Sequence, residues 1–323
     1  FFIAATETTA AAVIAYDLDS HQTRILNQSK TPLLDDKQIS IAEAIRFPSA
    51  SILEIENRRA YGFYYQPQNS QYTGFDDEKP PLIVLSHGGP TAATTAELNM
   101  SIQYWTNRGF AVVDVNYGGS TGFGRQYRDS LRGNWGLVDV DDCVNAANYL
   151  VERGSVDGER LAIRGGSAGG YTTYVALTNH TIFSAGVSRY GVADLTCLVK
   201  ESHKFEVRYL DSMIGPWPAS EALYQARSPI NQADKFNCPV LLLQGDEDAV
   251  VPPAQSTAMA DALNKKQIPH ALIMLKGEQH GFRKSENICL ALEAELNFYG
   301  QIFHIELADN LPALKLKHGD NLK

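Results

Sequence analysis

The sequence predicts an α/β fold, a mostly parallel eight-stranded sheet with helices on both faces. Three observations predict it. Short uninterrupted apolar runs recur along the chain, as in strands buried on both sides. Stretches with apolar residues at helical spacing separate them, and such alternation builds a parallel sheet. One glycine-rich turn, Arg164 to Gly170, joins a strand-like run to a helix-like run. The 323 residues suffice for one large α/β domain plus a smaller piece.

The elements follow in order. Ala11–Tyr16 and Thr23–Leu26 read as an antiparallel hairpin around the turn-rich Asp17–Gln22. Residues 1–45 form this N-terminal β segment, which resembles part of a propeller blade, and residues 46–323 form the main domain. Asn27–Lys37 reads as a connection. Ser51–Glu56 and Ala60–Tyr65 alternate in polarity and read as a second hairpin, and Pro67–Pro81 reads as a polar loop. Leu82–Leu85, Phe110–Val115, Leu161–Ile163, Ser184–Ser188, Val240–Leu243 and Ala271–Leu275 are six parallel-type strands. Asp139–Glu152 places Val140, Val144, Ala147 and Val151 on one helical face, and a long helix is expected from about Glu286 to Phe303. The tail from Leu314 to Lys323 is polar and reads as frayed.

Composition narrows the function. A net charge of −9 and a pI near 5.4 argue against nucleic-acid and anionic-membrane partners, which require clustered Lys and Arg. No apolar run approaches the ~20 residues of a membrane span. Cys143, Cys197, Cys238 and Cys289 lie far apart, so neither a metal site nor a disulfide framework is expected, and a cytoplasmic location is. The first residues lack the basic segment of a signal peptide. The chain does not begin with Met and reads as a piece of something longer.

The chemistry centres on Gly165-Gly166-Ser167-Ala168-Gly169. Gly-x-Ser-x-Gly between a strand and a helix is a nucleophile elbow, a tight turn that lifts the serine hydroxyl above the sheet. Serine needs a base, and in the α/β-hydrolase architecture the chain order is Ser, acid, His. After Ser167, the strand ending at Leu243 leads into a loop with three carboxylates, Asp246, Glu247 and Asp248. Asp248 is the expected acid, after a Gly-led turn and just before Val251-Pro252, with Asp246 as the alternative. His280, in the glycine-flanked loop after Ala271–Leu275, is the expected base. The N–H of Ala168 is one expected oxyanion donor, and that of Gly89, in His87-Gly88-Gly89-Pro90, is the other. Such a triad needs no cofactor and no metal.

Together these motifs, with Asn116–Gly124, Gly277–Phe282 and the Asp248 loop, resemble the prolyl oligopeptidase family of serine peptidases over roughly residues 50–305. The His-Gly-Gly-Pro loop points to the branch with acylaminoacyl-peptidases and dipeptidyl aminopeptidases. In prolyl oligopeptidase proper that loop usually carries Tyr where this chain has His87. The resemblance implies an α/β-hydrolase domain after a β-propeller, with residues 1–45 as the remnant of its last blade. It implies short peptides as substrates, and leaves a homo-oligomer open. It also implies that His87, Tyr190 and Val251 contact substrate, and that Phe205–Leu210 and Ile214–Trp217 close the pocket. The same triad suits a carboxylesterase or lipase-like hydrolase, and a chain that lost activity would serve as a scaffold.

Overall fold

The computed structural model describes residues 1–28, 34–50, 52–53, 55–75, 77–201 and 206–322. Three strands, β1 (Phe2–Ala4), β2 (Ala12–Tyr16) and β3 (Thr23–Gln28), form an antiparallel sheet in the order β1-β2-β3. Eight more follow: β4 (Glu43–Pro48), β5 (Arg59–Tyr65), β6 (Leu82–Ser86), β7 (Ala111–Asn116), β8 (Leu161–Gly166), β9 (Ala185–Arg189), β10 (Val240–Gly245) and β11 (His270–Leu275). They pair in the order β11-β10-β9-β8-β6-β7-β5-β4, and every pairing from β11 to β7 is parallel. The α-helices among the described residues are α1 (Met100–Thr106), α2 (Arg125–Asp129), α3 (Val138–Glu152), α4 (Ala168–Asn179), α5 (Leu195–Glu201), α6 (Tyr209–Met213), α7 (Glu221–Arg227), α8 (Pro253–Lys265) and α9 (Ser285–Ile302).

The uninterrupted apolar strands are explained by two cores, because side chains alternate between the faces of a sheet. Leu82, Val84, Leu161, Ile163, Val240 and Leu242 join one core, under α3, α4 and α8. Ile83, Val112, Ala162, Leu241 and Leu243 join the other, under α1 and α9. Helix α4 runs across the middle of the first core and is buried nearly all round, so its sequence shows almost no polar face.

Three expectations need correction. The first arm of the second hairpin is Glu43–Pro48, not Ser51–Glu56, and it pairs antiparallel with β5. Both stretches alternate, but Ile45 and Phe47 reach the core (5% and 0% exposed) while Ile52 and Ile55 stay in solvent (58% and 47%). Residues 51 and 54 themselves lie outside the described ones. Strand β4 therefore starts at Glu43, before the expected division after residue 45. The tail is also not frayed over its described length. Lys317 exchanges two backbone hydrogen bonds with His270 (2.8 and 3.1 Å) and Leu316 is buried, so the tail docks on the edge strand β11.

The connection between β1 and β2 meets the main domain where the Leu98 N–H donates to Thr6 O at 2.8 Å. The five residues between the segments 28 and 34 of the expected Asn27–Lys37 connection lie outside the described residues.

Candidate active site

Strand β8 ends and α4 begins on either side of Ser167, whose backbone is at φ 56°, ψ −122°. A non-glycine residue there stores strain of about 1–3 kcal/mol, held by its surroundings. The N–H of Ser167 donates to Arg189 O at 3.0 Å. The flanking glycines are required by close approach. A Cβ on Gly165 would stand 2.2 Å from Gly169 O, and one on Gly169 would stand 2.0 Å from Ser86 O. The turn thus lies directly on the end of β6, and the Ser86 hydroxyl fastens it by donating to Gly169 O (2.8 Å).

The loop after β6 carries Gly89, which adopts φ 123°. His87 holds this loop from behind. Its ring stacks on Tyr117 with centroids 4.1 Å apart, and its Nε2 and Nδ1 lie 2.7 Å from Ser120 Oγ and Gly88 O. The Tyr117 hydroxyl donates to His87 O at 2.8 Å. Burial pushes the His87 pKa down to about 4, against a small opposing effect of Gly88 O, so the ring is neutral and its hydrogen bonds are those of an imidazole.

Asp248 follows β10. It is 3% exposed, and its Oδ1 accepts from the N–H groups of Val250 and Val251, both at 2.9 Å. Its Oδ2 faces His280 Nδ1 at 2.8 Å and Gln244 Nε2 at 3.3 Å. Burial alone would raise its pKa. The hydrogen bonds from His280 and from the Val251 and Val250 N–H groups outweigh burial and hold the carboxyl below its ordinary value. His280 Nε2 in turn lies 2.9 Å from Ser167 Oγ. Asp246, the alternative acid, instead accepts from the Gly277 N–H at 2.6 Å.

The structure therefore brings Ser167, His280 and Asp248 into one hydrogen-bonded line, at the C-terminal ends of β8, β10 and β11. Beside it opens a cavity of about 330 Å³. Gly89, Ala168, Ser167 and His280 bound it on one side, and Trp135, Val192, Leu198, Leu210, Val250 and Val251 form apolar walls, with Tyr209 and the exposed Glu206. Ala168 is the first residue of α4, so its N–H has no acceptor within the helix. Such a site can move a proton from a hydroxyl to an imidazole, hold the imidazolium against a carboxylate, and offer two N–H groups to a developing oxyanion. Grooves of about 740 and 780 Å³ lie at the opposite ends of the strands around Arg160 and His304, away from these groups.

The other expected contacts divide. Val251 lines the cavity. Tyr190 does not; it packs against His280 (4.9 Å between ring centroids) and Phe282 (5.1 Å). His87 sits behind the loop as described. Tyr209 and Leu210 line the cavity, Phe205 lies outside the described residues, and Ile214 and Trp217 are not among the lining residues. Ile214 is buried in the first core, and Trp217 packs on Tyr224. Val192, in the segment that follows β9 next to the elbow, lines the cavity, whereas Trp135 was not legible as a site residue. Trp135 is set by Arg227, whose Nη1 donates to Gly133 O (2.8 Å) and Trp135 O (3.2 Å), and no local motif announces that clamp. Among the described residues no cluster of three or more His, Cys, Asp or Glu could hold a metal ion, and no helix is long and apolar enough to cross a membrane. All four cysteines are unpaired.

Comparison with known proteins places the chain among peptidases. The chain is 36% identical over 213 residues to "Dipeptidyl peptidase family member 6" of Caenorhabditis elegans, a match of 64% of this chain and 29% of that protein. It is 28% identical over 281 residues to "Acylamino-acid-releasing enzyme" of Arabidopsis thaliana, covering 81% of this chain and 33% of that protein. The solved structure of a Mycobacterium tuberculosis puromycin-hydrolyzing peptidase superposes with a TM-score of 0.93 at 41% identity, over 98% of this chain and 47% of that one. The chain thus spans about a third of these curated relatives and about half of the solved one. The fold is the α/β-hydrolase fold, residues 96–306 match the prolyl oligopeptidase family, and the chain belongs to that family.

Proposed function

We propose that this chain is a serine peptidase that hydrolyses short peptides near their N-terminus, as an acylaminoacyl-peptidase or dipeptidyl aminopeptidase does. The observation that carries the reading is the line from Ser167 Oγ through the His280 ring to Asp248 Oδ2, at 2.9 and 2.8 Å, beside an apolar cavity. His280 Nε2 takes the hydroxyl proton as Ser167 attacks the scissile carbonyl. Asp248 keeps the proton of Nδ1 facing itself and stabilises the imidazolium. The Gly89 and Ala168 N–H groups receive the oxyanion. His280 then protonates the leaving amine, and water, with His280 again as base, releases the acyl group. The walls formed by Val192, Leu210, Val251 and Trp135 suit an apolar side chain next to the cleaved bond.

The names of the relatives, which include a dipeptidyl peptidase and an acylamino-acid-releasing enzyme, support a peptide over a lipid ester. In this reading the N-terminal segment expected at residues 1–45 is part of a propeller blade up to the start of β4 at Glu43, and the catalytic domain runs from there to residue 323. The small antiparallel sheet β1-β2-β3 supports the first assignment. A cytoplasmic location fits the four unpaired cysteines. The test compares turnover of aminoacyl and acyl-aminoacyl anilides with that of a short p-nitrophenyl ester. Anilide hydrolysis abolished by Ser167→Ala is the expected result, and activity on the ester alone refutes the peptidase.

A further inference from the structure

His280 lies five residues beyond the end of β11, in a loop with glycines at 277 (φ 68°) and 281 (φ 101°). A glycine-flanked loop has wide conformational freedom, yet its histidine meets both Ser167 and Asp248. Asp246 holds the Gly277 N–H at 2.6 Å and Tyr190 packs on the His280 ring, but one residue ties the loop on both sides of the histidine. Glu278 is 2% exposed. Its Oε2 accepts from the Arg283 N–H at 3.0 Å, and its Oε1 accepts from the Lys284 N–H and from Asn287 Nδ2, both at 2.9 Å. These donors lie on the far side of His280, at the start of α9. The carboxylate therefore closes the loop across the histidine.

The backbone of Glu278 makes a second tie. Its carbonyl accepts from the Glu247 N–H at 2.9 Å, one residue before Asp248. The two loops cross at Gly245, where a Cβ would stand 2.4 Å from Glu278 O and 2.6 Å from Gln279 O. Burial works against the charge on Glu278, but the donors from Asn287, Arg283 and Lys284 outweigh it and hold the carboxyl below its ordinary value. The anion also faces the positive end of the α9 dipole.

We propose that Glu278 is a positioning residue that sets the register between His280 and Asp248, its carboxylate holding the histidine loop to α9 and its carbonyl holding it to the acid loop. The proposal rests on the reading of Ser167, His280 and Asp248 as catalytic. A residue that merely caps α9 would lower stability and leave turnover per folded molecule intact. Glu278→Gln keeps size and one acceptor, Glu278→Ala removes both, and Asn287→Ala removes one donor.

The experiment measures kcat and KM per titratable active site, the melting temperature, and the low-field proton resonance of the His280–Asp248 hydrogen bond. For Glu278→Gln and Glu278→Ala, kcat should fall on the order of 10- to 100-fold with KM within about twofold, and the resonance should broaden or vanish. Asn287→Ala should shift the same readouts in the same direction by less. Variants that fold with wild-type kcat and an intact resonance overturn the proposal. If Glu278→Ala does not fold, Glu278→Gln and Asn287→Ala decide. A wild-type chain without turnover refutes the catalytic reading instead, and the resonance still tests whether Glu278 sets the pair.

Discussion

Asp248→Asn exchanges one oxygen of the acid for an amide nitrogen, and the structure dictates which one. Oδ1 accepts from two backbone N–H groups at 2.9 Å, those of Val250 and Val251. The asparagine oxygen must stay there, since an NH₂ group would face two donors. The new Nδ2 then points at His280 Nδ1, which lies 2.8 Å from the present Oδ2. A donor facing Nδ1 forces the proton of the neutral ring onto Nε2, the nitrogen that must accept the proton of Ser167. The base is thereby held in the wrong tautomer with its ring still in place. The expected loss is on the order of 10³- to 10⁴-fold in kcat/KM, about 4–5.5 kcal/mol of transition-state stabilisation. The assay pairs anilide turnover with the rate of labelling by a fluorophosphonate. Both should fall together, while the melting temperature changes little because the two backbone bonds remain and only the long 3.3 Å bond from Gln244 Nε2 is lost. A variant within about tenfold of wild type in both assays refutes the assignment of the acid.

Other predictions test the surroundings of the site. Gly169→Ala places a Cβ 2.0 Å from Ser86 O and 2.9 Å from His87 O, both backbone atoms, so the oxyanion loop must move. Stability should fall by about 1–3 kcal/mol and kcat by more than tenfold, read by denaturant unfolding and turnover; an unchanged kcat contradicts it. Glu295, 0% exposed, serves Arg164 at 2.7 Å and Arg189 at 2.5 Å on neighbouring strands. Glu295→Gln removes the shared countercharge of Arg164 and Arg189, both largely buried, and should cost about 3–5 kcal/mol in urea unfolding, whereas a loss under about 1 kcal/mol contradicts the buried network.

His87 should make stability depend on pH. Its folded pKa of about 4 lies below the unfolded value near 6.5. The unfolded chain thus binds more protons between these values. The stabilisation is complete above about pH 6.5 and lost as pH falls towards 4, up to ~3 kcal/mol. Asp114 and Asp139, raised to about 6 by burial, act the other way, and their contribution is lost as pH rises through 6. The stability difference between wild type and His87→Asn isolates the histidine: it should shrink as pH falls from 7 to 4, and a difference that does not change with pH contradicts the neutral ring.

The fold was legible in the sequence wherever one segment decides its own fate. The six parallel strands are apolar on both faces, so no choice of face arises and the runs stand out. The elbow was legible because the close approaches at Gly165 and Gly169 exclude any side chain. The order of Ser167, Asp248 and His280 was legible because the loops at the strand ends are short. What escaped depends on partners distant in the chain. Ile52 and Ile55 alternate as well as Ile45 and Phe47 do, and only the register against β5 chooses between them. Trp135 becomes a cavity wall through Arg227, more than ninety residues later. His87, expected against substrate, turns inward because Ser120 and Tyr117 capture its ring.

The measurement that bears most directly on this account is the site and consequence of covalent modification by a fluorophosphonate. The folded chain should take up one equivalent, mapped to the peptide containing Ser167, and anilide hydrolysis should fall in proportion to the fraction labelled. Ser167→Ala should take up none. A folded chain that is not labelled, a label on another residue, or hydrolysis that survives full labelling would contradict the account.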